Sequence, residues 1–320
     1  MKLVIAAALV VALVGTAPPA RACLWDRDTL AEETLSDRDV GRIIAGEFGQ
    51  HSPAFYAAKV AYTRPMIDAG TAPRERYDDL AVALAKTGAV DDALAVLAAK
   101  DQKFPGEYTT LANRGTFLAM KGDAAGALEE LRAALAVNPD AHFGREEFQV
   151  RLLEYKLAVA KDPSLRSRAT FLVEVDQRVM HHHQTRHARD ADLDRAIVAI
   201  GGLVRFGGAD RDADLWFGLA WALVLRGDNQ LAVLAFRRAE LLGHPAARDH
   251  GALRATTLRA LDPPTPCCPP LGDAKSLETW ALATAKADRA LAKGAAKDAR
   301  RLAAEDKLIT RKRWRQAFKY

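Results

Sequence analysis

The chain has 320 residues, of which 49% are hydrophobic and 27% charged, with a formal net charge of +5, which is an ordinary globular composition. About one residue in five is Ala, while 11 Phe, 5 Trp and 6 Tyr supply the bulk, a balance that favours closely packed helices and excludes a β-sandwich or barrel. Beyond residue 22 no apolar run is long enough to cross a bilayer.

Met1-Lys2 is positively charged, Leu3 to Val14 is continuously apolar, and Ala20-Arg21-Ala22 puts small residues at the two positions a signal peptidase reads. This three-part pattern predicts a secretory signal peptide over residues 1–22, cleaved after Ala22. The protein is therefore expected in the periplasm or cell envelope, or secreted. Cys23 would open the mature chain, but Arg21 and Ala20 depart from the Leu-small-small-Cys order of a lipid-attachment site. Export permits a disulfide among Cys23, Cys267 and Cys268, and of the three pairings the vicinal one has the poorest geometry.

Residues 23–72 read as an N-terminal helical segment. Asp26 and Asp28, with Glu32-Glu33, pattern an exposed turn; a helix is expected over Asp37 to Phe48, and Ser52-Pro53 starts another that runs to about Ala69. From 73 to 262 the chain repeats itself. Tyr77, Leu80, Ala81, Leu84, Gly88, Ala93, Leu97 and Pro105 return 34 residues later as Leu111, Arg114, Gly115, Leu118, Gly122, Ala127, Leu131 and Pro139. A third copy runs Trp216, Leu219, Ala220, Leu223, Gly227, Ala232 and Phe236, with Pro245 one place late. In each copy a small residue (Ala81, Gly115, Ala220) should meet Ala93, Ala127 or Ala232 where two helices cross. Gly88, Gly122 and Gly227 should end the first helix, Asp123 and Asp228 cap the second, and Pro105 and Pro139 close the unit.

These offsets resemble the tetratricopeptide repeat, with Arg114 standing where that family has Leu. The opening Cys23 to Leu30 and the stretch Asn138 to Glu147 are similar to exported bacterial repeat proteins, a likeness that implies a family and no particular activity. The resemblance implies an all-α, helical-hairpin solenoid. Between the copies, helices are expected from Arg145 to Val159, Arg168 to about His183, and Asp192 to Phe206. Five prolines between 263 and 270 mark a linker over residues 263–272 that carries the vicinal cysteines. Residues 273–320 then form a C-terminal basic helix, capped by Ser276 and running to about Asp306, with a tail. Residues 275–320 carry 13 Lys or Arg against 5 Asp or Glu, so the rest of the chain is net acidic and could dock this segment. About seven hairpins in a row would trace an array long enough to keep Cys23 from Cys267, which predicts three free thiols.

Function is less legible. No nucleophile elbow, phosphate-binding glycine loop or paired acid and base appears, so the chain is read as a non-catalytic binding or scaffolding protein without a cofactor. The family resemblance implies that the first helix of each hairpin lines a concave groove, which carries the binding positions to Asp78, Val82 and Lys86, to Thr116 and Met120, and to Phe217 and Trp221. The family's clamp for acidic C-terminal tails uses Lys and Asn at the fifth and ninth positions; Asp78, Val82, Ala112 and Thr116 stand there instead. What is left suits a helix or an extended apolar peptide. The tail from Arg311 to Tyr320, with Trp314, Phe318 and Tyr320 among its cations, also suits an anionic membrane surface; export argues against nucleic acid. The alternative reading is an envelope metal-binding or metal-dependent enzyme module on His181, His182, His183 and His187, where His183 and His187 lie one helical turn apart. Arg178, Arg186 and Arg189 flank it and oppose a bound cation.

Overall fold

A computed structural model describes residues 24–31, 37–139, 144–172, 190–259 and 274–311. Its elements are α1 (Arg27–Ala31), α2 (Asp37–Ala45), α3 (Pro53–Asp68), α4 (Arg74–Lys86), α5 (Val90–Lys103), α6 (Tyr108–Lys121), α7 (Ala124–Val137), α8 (Arg145–Lys161), α9 (Leu165–Arg168), α10 (Asp190–Arg205), α11 (Ala213–Arg226), α12 (Asn229–Leu241), α13 (Ala247–Arg259) and α14 (Ala274–Thr310). The fold is all-helical: among the described residues there is no strand, and a 3₁₀ turn at Ala209–Arg211 precedes α11. No described helix is long and apolar enough to cross a membrane.

Three helix pairs, α4 with α5, α6 with α7 and α11 with α12, share one construction. In each, the glycine after the first helix has positive φ: +90° at Gly88, +87° at Gly122 and +98° at Gly227. The next amide reaches back five residues, from Ala89 to the Leu84 carbonyl, from Asp123 to Leu118 and from Asp228 to Leu223, satisfying carbonyls the helix end would leave bare. A β-carbon at these glycines would touch nothing, so it is the left-handed backbone alone that demands glycine there. Where the helices cross, Ala81 with Ala93 and Ala220 with Ala232 are fully buried, as is Ala127. Opposite Ala127, a β-carbon on Gly115 would stand 2.7 Å from Leu131 Cγ. Arg114, where the other two copies have Leu80 and Leu219, acts as an ion-pair bridge, reaching Asp101 on α5 and Glu130 on α7 at 3.0 and 2.8 Å.

Several expectations need correction. Asp123 caps α7 through the Gly126 amide, but Asp228 makes no capping bond and pairs with Arg226 at 2.6 Å instead. The helix expected from Arg168 does not start there, because 169–172 are not helical; the rest of that span lies outside the described residues. Helix α2 stops at Ala45, because Gly46 turns to φ +116°, and α14 begins at Ala274, ahead of Ser276. Ser52 does cap α3, its hydroxyl accepting the Phe55 amide.

The largest correction concerns shape. An open array was expected; here α14 packs on α12 and α13 and then on α2 and α3, joining the end of the chain to its beginning. Arg237 of α12 holds Asp288 of α14 at 2.8 Å, and Trp280 donates its indole N–H to Glu240. Further along α14, Asp298 accepts the Gly49 amide, Arg301 donates to the Gly49 and Gln50 carbonyls, and Glu305 takes the Ser52 amide and His51. Ile309 ends the contact among Phe55, Tyr56 and Ala83. The helix read as an electrostatic appendage is thus a closing element, and part of its grip comes from its few acidic residues. Closure removes the distance argument for three free thiols; Cys23, Cys267 and Cys268 themselves lie outside the described residues.

Candidate functional site

The first-copy groove positions lie on α4, whose inner face meets α6 and the start of the chain. Asp78 is buried and receives Lys100 of α5 at 2.7 Å, the Thr109 hydroxyl at 3.0 Å and, more weakly, the Asn113 amide. Burial drives the Asp78 carboxyl up to about 6 in spite of Lys100 and these donors. Lys100, fully buried, also reaches Glu107 at 3.2 Å. It follows Ala93 and Leu97 on the inner stripe of α5, where the helical period calls for an apolar residue.

Across this surface lies residues 24–26. The Trp25 N–H donates to Asn113 Oδ1 at 2.7 Å and the Trp25 carbonyl accepts from Asn113 Nδ2 at 2.9 Å, so one carboxamide holds both backbone polar groups of a single residue. The Trp25 ring meets Tyr108 edge-on at 5.4 Å, and Leu24 is buried in the core around α4. Behind it, Lys59 of α3 is buried with Asp26 at 2.8 Å, Asp28 in closer contact, and Asp79 at 3.5 Å. Arg27 and Arg76 close the network on Asp79 at 2.6 and 3.3 Å. Burial opposes every charge here, yet Lys59 keeps Asp26 below the usual carboxylate range; the three aspartates raise Lys59 well above its own. Burial and the Asp26 charge push Asp28 upward. Asp26 and Asp28 are therefore interior, not the exposed turn expected: an isolated acidic pair reads as surface until its cation, 31 and 33 residues away, is brought to it. A 410 Å³ opening remains between Leu30, Arg74, Glu75, Glu107, Tyr108 and Val137.

The other expected positions are placed as follows. Val82 is buried in the α4 core, and Met120 packs half-buried on the same cluster. Lys86 donates to the Phe206 carbonyl at 2.8 Å, tying α4 to the turn after α10. Thr116 is buried and accepts from Gln149 of α8. Phe217 and Trp221 are brought together with α12 and α13: Phe217 stacks on His244 at 3.9 Å, and His250 meets Phe217 and Trp221 edge-on at 5.4 and 5.3 Å. Burial lowers His244 to about 3 and His250 to about 4, so both are neutral rings near neutral pH. Asp214, beside His244 at 3.5 Å, is held by Arg166 at 2.8 Å. His181 to His187 and the tail 312–320 lie outside the described residues. Among the described residues, no group of three or more His, Cys, Asp or Glu side chains is arranged to hold a metal ion.

Asn113, Lys59 and Lys100 were not singled out from the sequence. Lys100 had a signal, a cation inside an apolar stripe; Asn113 and Lys59 had none, since each earns its role from a segment distant in the chain. No family model matches the chain, and no curated protein matches it.

Proposed function

We propose that the chain is an exported, non-catalytic protein-binding or scaffolding protein of the cell envelope, built on tetratricopeptide-like hairpins and released from a signal peptide after Ala22. The fold reading is supported by the recurring left-handed glycine and small-residue crossing in the three hairpins. One observation carries the functional reading: the face of α4 and α6 grips extended chain at Trp25 through a side-chain amide that ignores sequence and reads backbone. A surface with this chemistry binds peptide, and residues 24–26 occupy it as an internal example. Partner binding then falls to the ungripped remainder, the opening beside Glu75 and Glu107 and the aromatic face at Phe217 and Trp221.

The test is crosslinking of the mature protein in the envelope of its source cell, with Glu75→Arg at the opening and Trp221→Phe at the aromatic face. A discrete crosslinked partner lost in one variant, with its melting temperature kept, is the expected result. No discrete partner, or equal crosslinking in both variants, overturns the reading. Mass determination of the mature N-terminus checks cleavage after Ala22.

A further inference from the structure

Helix α14 divides its charges between two sides. Trp280, Ala287, Leu291 and Ile309 are buried on the side that meets the body, and its acids lie toward that side as well. Asp288 is held by Arg237, Asp298 accepts the Gly49 amide, and Glu305 takes the Ser52 amide and His51. Asp306, the other acid between Leu282 and Arg311, is half-buried.

Cations occupy the outer side. Lys286, Arg289, Lys293, Arg300, Lys307 and Arg311 are all exposed. They follow one another at intervals of three, four or seven residues, which keeps them on one face of a helix. At 1.5 Å per residue the stripe runs for about 37 Å. Among the described residues, none of the six side chains meets a hydrogen-bond or ion-pair partner. Lys297, on the same face, does pair with Glu47, at 2.7 Å. No acid interrupts the stripe.

Such a stripe opposes its own helix. Arg289 and Lys293 stand four residues apart and repel each other, as do Lys307 and Arg311. The helix dipole favours cations in the last turn, but it offers nothing to Lys286, Arg289 and Lys293. Within the fold these charges stabilise nothing, so the anion that they suit lies outside it.

Apolar surface adjoins the cations. Leu282 and Leu308, 55% and 44% exposed, lie on the same face near its two ends. Beside Lys286 a 610 Å³ groove opens between α12 and α14, walled by Val233, Leu234, Ala283 and Ala290. A soluble polyanion would leave this surface in water, whereas acyl chains below a layer of headgroups would cover it. Lysine and arginine stems suit the same boundary, apolar along their length and charged at the tip.

We infer that the outer face of α14, from Leu282 to Arg311, docks the protein on an anionic lipid bilayer. The inference rests on the reading of the chain as an envelope protein and adds an attachment surface separate from its partner-binding faces. It also moves attachment from the tail after Arg311 to a helix held rigidly by its inner side.

The test is co-sedimentation of the mature protein with phosphatidylcholine vesicles, with and without about one-third phosphatidylglycerol. Binding should require the anionic lipid and disappear in about 1 M salt, where charges are screened beyond about 3 Å. Each cation near such a surface is worth a factor of about five. Replacing Lys286, Arg289, Lys293 and Arg300 together by Gln should therefore weaken binding on the order of a hundredfold or more. Lys286→Gln with Lys293→Gln should weaken it on the order of twentyfold. Glutamine keeps the helix propensity of these exposed positions, so both variants should melt like the wild type. A control with Lys103, Lys121, Arg132 and Lys161 replaced by Gln removes the same charge elsewhere and should bind nearly as wild type. A chain ending at Arg311 should still bind the anionic vesicles. Indifference to phosphatidylglycerol, an equal loss in the control, or complete loss in the shortened chain overturns the inference. So does tighter binding to polyglutamate than to the vesicles, which would make the partner an acidic protein. If vesicle binding fails while envelope crosslinking lost in Glu75→Arg persists in the wild type, the binding reading stands without this surface.

Discussion

Gly294, in the middle of α14, lies so close to the Ala45 carbonyl that a β-carbon at 294 would overlap its oxygen and stand 2.7 Å from its carbon. From the other side, Gly46 faces the backbone of Ala295 and Leu291. Two glycines thus let the end of α2 rest directly on α14, and this contact is the seam that closes the molecule.

Gly294→Ala tests the seam by sign. Helix propensity alone would make Ala the better residue by about 1 kcal/mol. Packing against Ala45 makes it worse, by about 1–3 kcal/mol of overpacking. Urea unfolding of Gly294→Ala should show a net loss of stability; a gain would mean that α14 does not press on α2.

Lys59→Met leaves Asp26, Asp28 and Asp79 buried with no lysine among them. Removing one partner of a buried ionic network typically costs about 3–5 kcal/mol. The variant should unfold at much lower urea and expose the segment around Trp25 to protease before global unfolding. Wild-type stability in Lys59→Met would remove the network from the account of the fold.

Asn113→Ala should free the Trp25 peptide from its clamp. Losing a bidentate contact of this kind costs about 1–2 kcal/mol. Hydrogen exchange at the Trp25 amide should quicken on the order of tenfold, with exchange in α11 and α12 unchanged. An unaltered Trp25 amide would show that its protection comes from burial alone.

His244 and His250 make the protein acid-sensitive. Their folded values, about 3 and 4, lie below the ordinary 6.5, so the unfolded chain takes up protons first as pH falls. Their contribution is full above pH 6.5 and is lost as pH drops toward about 4. Asp78, raised to about 6, acts the other way, because its folded form gains its proton first and recovers part of the loss. Two histidines outweigh Asp78, and these three groups together lose about 3 kcal/mol between pH 6.5 and 4.5. His250→Phe, which keeps the ring packing, should remove most of this slope in urea titrations at pH 7 and 5, because His244 and Asp78 then nearly cancel. A slope unchanged in that variant would place the acid sensitivity elsewhere.

The sequence by itself determined what depends on neighbours within one helical hairpin. Gly88, Gly122 and Gly227 could be placed because a left-handed residue must end each first helix, and the Ala and Gly crossings because two helices separated by a tight turn must meet at a small side chain. Apolar period, caps and prolines located most helix spans for the same local reason. Tertiary structure decided everything that needs two distant segments. It put Asp26 and Asp28 around Lys59, laid Trp25 on Asn113, and turned a long Ala-rich helix with a glycine at 294 into the piece that shuts the ring. Period and propensity say nothing about such meetings. A charge or a glycine looks the same on a surface and at a contact until the partner backbone arrives, and only the full packing of the chain brings it there.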